Sequence, residues 1–319
     1  MTGKGAKVIL MSHLGRPDGQ VVEGLRLDVA AKRLSELLGK PVKKVDDCIG
    51  PEVEAAVAAM QPGDVLMLEN VRFYAEEESK DDAVRLPFAE KLAKLGDVYV
   101  NDAFGTAHRD HASTASVARF LRPAVAGYLM AKEIDTLGHA LAKPARPFIT
   151  ILGGAKVKDK LKLIKNMVGK VDALLIGGGM AYTFFKAMGY EIGHSLLDPE
   201  RIDAVKEIMA NAEKSSTRLV LPEDVVISNM SVDDILAKKT AEGITTRVVA
   251  ADQIPADWQG LDIGPKTIAA FKEYIKGAGL AIWNGPVGLS ENPAFAQGTA
   301  AVAEALAGSN AFTIIGGGA

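Results

Sequence analysis

The feature that most constrains this chain is an alternation. Short apolar runs bounded by turn residues recur at 8–11, 65–68, 98–100, 148–152, 173–176, 219–221, 281–283 and 312–315. Between them, RLDVAAKRLSELLG (26–39), PEVEAAVAAM (51–60), PFAEKLAKLG (87–96) and DAVKEIMANAEK (203–214) place Leu, Val and Ala at helical spacing with charges opposite. Such helices pack one face on a sheet. Apolar runs alternating with amphipathic helices predict an α/β fold whose parallel sheet is covered on both sides. At 319 residues the chain exceeds one ordinary hydrophobic core, so two domains are expected. The stretch 121–147 has a proline near each end and helical periodicity between, with no strand beside it. It predicts a linking helix at 123–146 between domains at 1–122 and 147–319, with Leu129, Ile134, Leu137 and Leu141 as a packing face.

Open parallel sheets bind ligands beyond the carboxyl ends of their strands, so the strand exits are read together. In the first half they are SHLGRP (12–17), ENVRF (69–73) and NDAFGTAHR (101–109). Each carries an arginine: Arg16, Arg72 and Arg109. Guanidinium forks pair phosphate and carboxylate oxygens two at a time, so three on one rim predict a site for a multiply charged anion. In the second half the exits turn to glycine: GGAKVKDK (153–160), GGGMAYTF (177–184), NGPVG (284–288) and GGG (316–318), with PEDV (222–225) among them. Glycines let a ligand lie against the backbone, and helix amino ends offer free amides to phosphate. Lys156, Lys158 and Lys160 crowd the start of the helix after Gly154, where the helix dipole disfavours cations, and a bound anion would explain them. Lys156 and Lys160 share a face; Lys162 and Lys165 read as solvated, as does ESKDD (78–82). Two anion sites in two domains predict phosphoryl transfer with domain closure, a task of positioning and charge neutralisation.

Several classes are disfavoured. GxxxxGK[ST] is absent, and Gly177 and Gly179 have Tyr182 where a GxGxxG fingerprint needs glycine. His108 and His111 lack a carboxylate at metal-ligand spacing, so a magnesium ion carried by the nucleotide is expected instead. Basic and acidic residues number 37 and 40, a net charge of −3, with no basic tract for nucleic acid or an anionic membrane. No apolar run approaches the roughly 20 residues of a membrane span, and the first residues are too short for a signal peptide. A single cysteine, Cys48, fits a reducing compartment, hence the cytoplasm.

In order and spacing, SHLGRPDG, LENVRF, DAFGTAHR, GGAKVKDKL, GGGMAYTF, WNGPVG and the closing GGG resemble the phosphoglycerate kinase family along essentially the whole chain. The resemblance implies two doubly wound, Rossmann-like domains and a monomer. It implies reversible phosphoryl transfer between 1,3-bisphosphoglycerate and ADP, giving 3-phosphoglycerate and MgATP. His13, Leu14, Gly15 and Arg16 match the family's substrate loop, and Arg72 and Arg109 its other phosphoglycerate-binding arginines. Lys156 and Lys160 match lysines at the nucleotide phosphates and take the catalytic role, Lys160 being the stronger match. Glu291 matches the glutamate at the ribose; Gly153, Gly177, Gly178 and Asn284 fall in the nucleotide pocket, and Gly317 and Gly318 in a phosphate loop. The family's first strand with its substrate motif and arginine, the acid after the last glycines, and the terminal helix have no counterpart. The chain is therefore expected to be a fragment truncated at both ends, slow or inactive in transfer. A non-catalytic nucleotide- or anion-binding module is the competing expectation. A two-domain sugar-nucleotide transferase has only general architecture behind it.

Overall fold

The computed structural model describes residues 1–155 and 157–316. The chain forms two units, one from Met1 to Gly138 and one from His139 onward. The first runs β1 (Val8–Leu10), α1 (Asp28–Leu38), β2 (Lys43–Lys44), α2 (Pro51–Ala58), β3 (Val65–Met67), α3 (Asp82–Ala93), β4 (Tyr99–Asn101), α4 (Val117–Phe120) and β5 (Ala124–Ala126). Helix α5 (Tyr128–Ala142) carries the chain across the boundary. The second unit runs β6 (Phe148–Leu152), α6 (Leu161–Met167), β7 (Ala173–Ile176), α7 (Ala181–Ala187), α8 (Ile202–Glu213), β8 (Arg218–Val220) and β9 (Asp224–Ser228). It continues with α9 (Val232–Ala237), β10 (Arg247–Ala250), β11 (Gln259–Ile263), α10 (Pro265–Lys276), β12 (Leu280–Asn284), α11 (Gln297–Ala307) and β13 (Phe312–Gly316).

Uniformly apolar strands do what their sequence demands, which is to bury both faces. In the first unit β1, β3 and β2 pair in parallel in that order, and β4 pairs in parallel with β5. Successive residues of β3 point to opposite sides: Leu66 joins Val53, Phe88 and Leu92 in one core, while Met67 joins Leu27 and Ala31 in another. The second unit repeats the plan in a five-stranded parallel sheet of order β13–β12–β6–β7–β8. Here Phe148 and Leu152 pack with Phe184, Phe185 and Val205 on one face, and Ile149 and Ile151 with Phe271, Ile275 and Val302 on the other. Helices on both faces make each unit a doubly wound α/β layer structure.

The structure departs from the sequence-based expectation in five places. A three-stranded antiparallel sheet, β10–β9–β11, accompanies the parallel one. PEDV is a corner rather than a ligand loop: Asp224, buried as the first residue of β9, accepts from the Lys266 and Thr267 backbone amides at 3.0 and 2.9 Å and so holds the amino end of α10. Residues expected to be strand-free supply β5, because Pro123 turns the chain back beside β4 and its carbonyl accepts from Tyr99 N. Helix α3 starts at Asp82, not Pro87, since the Asp81 carboxylate caps it by accepting from Ala83 N at 2.9 Å. The expected packing face of α5 is also largely uncovered: Leu129, Ile134 and Leu141 are exposed, and Met130 is the buried apolar residue. Periodicity reports an apolar stripe; it does not supply the surface that covers it.

Candidate functional site

Beyond β1 the chain runs SHLGRP across the top of the first unit, and the ENVRF segment beyond β3 holds it there. The buried Asn70 side chain donates to the carbonyls of Leu14 and Leu25 at 2.8 and 2.9 Å. Val71 N donates to Ser12 O at 3.1 Å. Arg72 is buried, and its Nη1 donates to Gly15 O at 2.9 Å. Gly15 itself sits at φ +65°, the left-handed region that glycine enters without strain. Behind them Glu69, also buried, accepts from Leu27 N and Asn70 N and pairs with Lys44 and Arg26 at 2.7 and 3.0 Å. Sequence reasoning did not single out Asn70 or Glu69, although both lie in the quoted LENVRF motif.

Two guanidinium groups and a histidine converge on one oxygen. Arg72 Nη2 lies 3.0 Å from Glu78 Oε1, His111 Nε2 3.6 Å and Arg109 Nη1 3.8 Å from the same atom. His13 is close enough to feel Arg72, Glu78 and Arg109, and burial followed by the Arg72 charge holds its pKa below the usual imidazole range. Burial lowers His111 likewise, opposed by Glu78. Arg109 Nε is buried without a hydrogen-bond partner. His13, Arg72 and Arg109 are thus brought together; Leu14 and Arg16 are exposed on the rim, with no ion pair at Arg16 among the described residues.

ESKDD is largely solvent-exposed, as its composition suggested, but its acids are paired. Glu78 is the anion of the cluster, and Asp82 pairs with Arg85 and with Arg119, at 3.0 Å for the latter. Next to it, buried Glu77 accepts from Ser113 N and Oγ at 3.0 and 2.6 Å, and burial pushes its pKa up to about 7. Buried Arg85 donates to Ser79 O, Ser116 Oγ and Asp110, tying the 109–116 segment that carries Arg109 and His111 to α3. Local spacing accounts for Asp82–Arg85 and Ser79–Arg85, three and six residues apart, but the pairs that bring in Ser113, Ser116, Asp110 and Arg119 join segments 25 to 37 residues apart, and chain separation hides them.

In the second unit the strand register aligns the exits in a row: Gly316, Asn284, Leu152 and Ile176 are successive partners across β13, β12, β6 and β7. Lys160, just ahead of α6, donates to the Asn284 side chain and so bridges the β6 and β12 exits. The glycines answer to each other before any ligand. A Cβ on Gly153 would lie 2.0 Å from Pro286 O, on Gly177 2.8 Å from Val287 Cβ, and on Gly178 2.7 Å from Gly154 N. Hydrogen bonds interlock the same loops: Gly153 N to Asn284 O, Gly154 N to Pro286 O and Gly178 N to Val287 O, at 3.1, 2.8 and 2.8 Å. Glu291 is exposed on a loop anchored by the buried Asn292, which donates to Ile235 O and Lys238 O. Lys165 pairs at the surface with Glu207 at 2.6 Å. Lys156, Gly317 and Gly318 lie outside the described residues. Two surface hollows, of about 440 and 190 Å³, lie elsewhere, beside α8 and β8 and beside α2 and β3.

Among the described residues no group of three or more His, Cys, Asp or Glu side chains could hold a metal. None of their helices is long and apolar enough to cross a membrane. What the arrangement can do is bind anions: side chains of alternating sign over the first sheet, and a lysine over interlocked backbone at the second.

The family model "Phosphoglycerate kinase" matches residues 1–319. Phosphoglycerate kinases of Dictyoglomus turgidum and Moorella thermoacetica are 55% and 52% identical over 316 and 314 residues, covering 99% and 98% of this chain and 76% of each relative. Solved phosphoglycerate kinases of Coxiella burnetii and Pyrococcus horikoshii superpose with TM-scores of 0.80 and 0.81 at 37% and 30% identity, over 99% of this chain and 77% and 78% of theirs.

Proposed function

The chain belongs to the phosphoglycerate kinase family, and from that premise we propose how its residues share the family's reaction, the reversible transfer of phosphate between 1,3-bisphosphoglycerate and ADP. His13, Leu14, Gly15, Arg16, Arg72 and Arg109 bind the phosphoglycerate. Lys160 and Lys156 neutralise the nucleotide phosphates as charge develops in transfer. Gly153, Gly177, Gly178, Asn284, Glu291, Gly317 and Gly318 form the nucleotide pocket. The domain division is 1–122, 123–146 and 147–319, and the protein is a cytoplasmic monomer. Magnesium enters as part of the nucleotide substrate: the described residues offer no cage of their own, and Mg²⁺ on a nucleotide takes its oxygens chiefly from phosphate and water.

One observation carries the phosphoglycerate assignment. Arg72, Arg109 and His111 converge on a single carboxylate oxygen while a buried Arg109 donor has no partner. Two guanidinium groups and a histidine gather in that way where an anion is to be received. For the nucleotide assignment the support is Lys160, held by Asn284 over the aligned exits of β6 and β12. Calorimetry tests both: the chain is titrated separately with 3-phosphoglycerate and with MgATP. Arg109→Ala is expected to weaken the first and spare the second, Lys160→Ala the reverse. Equal loss of both ligands in either variant would refute the division.

A further inference from the structure

We propose that Glu78 is an internal stand-in for the substrate anion, holding Arg72, Arg109 and His111 together until a phosphate or carboxylate of the incoming phosphoglycerate displaces it. The proposal rests on the reading above that Arg72 and Arg109 bind phosphoglycerate.

Two guanidinium groups in one partly desolvated pocket, with a histidine beside them, repel one another unless an anion sits among them. Glu78 Oε1 is that anion, within 3.0 to 3.8 Å of all three. The anchoring is one-sided. The turn that carries Glu78, Ala75–Glu78, is fixed from below by buried Glu77 on Ser113, and Tyr74 O accepts from Glu77 N at 3.2 Å. The Glu78 side chain, 36% exposed, stands at the rim and can swing into water without moving that turn. Arg72 retains its bond to Gly15 O when Glu78 leaves, so its fork stays aimed. Arg109 retains an unpartnered Nε. A carboxylate whose role was only to orient Arg72 would have no need to draw the other two groups to the same oxygen.

The two roles predict opposite signs. Removing a competitor raises affinity; removing a brace lowers it. Binding of 3-phosphoglycerate and of MgATP is measured by calorimetry in the unmodified chain and in Glu78→Gln, Glu78→Ala and Arg109→Gln. Glu78→Gln is expected to bind 3-phosphoglycerate about three- to tenfold more tightly, between the values of a screened ion pair and a charge-assisted hydrogen bond. Glu78→Ala should shift the same way, and MgATP affinity should not change, a pattern that a merely structural loss would not produce. Unchanged or weaker 3-phosphoglycerate binding in both Glu78 variants, with Arg109→Gln weakened, overturns the stand-in and leaves the site standing. Undiminished binding in Arg109→Gln overturns the site and the stand-in together.

Discussion

The two units build their candidate sites by different means. In the first, the cluster is built from charged and polar side chains of several segments, each balanced by another: Arg72 and Arg109 against Glu78, Glu77 against Ser113, Arg85 against Asp82 and Asp110. In the second, the backbone does most of the shaping, with glycine loops locked at van der Waals distance and Lys160 fixed above them by Asn284. A charge cluster is tunable by pH, salt and single substitutions. Interlocked backbone is insensitive to those and intolerant of one added methyl.

The sharpest way to break that contrast is steric. Gly153→Ala places a Cβ 2.0 Å from Pro286 O, so two backbone loops must separate; a loss of about 3 kcal/mol in unfolding free energy is expected by urea denaturation. Gly105→Ala, in the first unit's DAFGTAHR segment, meets nothing within 4 Å and should stay within about 0.5 kcal/mol of the parent. If Gly153→Ala were equally tolerated, the second site would not be a backbone structure at all.

The next effect is in pH. Glu77 has a folded pKa of about 7 against an ordinary 4.5, so the native state holds a proton that the unfolded chain releases in between. Its contribution to stability is complete below pH 4.5 and is lost as pH rises through 7. Glu77→Gln, which keeps a group able to bond Ser113, is expected to gain about 2 kcal/mol over the parent at pH 8 and nothing at pH 4. His13 and His111, held low by burial, change stability in the opposite sense as pH falls below 6.5; because His111 Nδ1 lies 3.8 Å from Glu77 Oε1, the comparison is repeated in a His111→Gln background. A gap that did not vary with pH would remove the titratable character assigned to the first unit.

Ligand effects follow. Arg109→Ala should weaken 3-phosphoglycerate about 10- to 100-fold, the worth of charge-assisted hydrogen bonds. Arg16→Ala, on the exposed rim, should fall at or below the lower end of that range. Of similar size is Lys160→Ala, about tenfold on MgATP, with Lys165→Ala unchanged because its Glu207 pair is a surface contact. Equal small effects of the two lysine changes would reduce Lys160 to a solvated residue.

Sequence alone determined the layered α/β plan, because uniformly apolar runs such as FITIL and ALLI are stable only when both faces are covered, and helices with one apolar stripe are the natural cover. It also determined where to look, since SHLGRP, ENVRF and the glycine exits are local strings at predictable strand ends. Tertiary structure decided what those strings do. Glycines read as room for a ligand proved first to be room for neighbouring loops, a fact carried by Pro286 and Val287, more than 100 residues away from Gly153 and Gly177. DVVIS, an apolar run like the others, became the middle of an antiparallel sheet, because pairing direction depends on what the chain does between strands. ESKDD reads as solvated by composition, yet Glu78 became the counter-ion of the anion site. A carboxylate's role is set by the charges that long-range folding places around it, and local sequence carries no record of them.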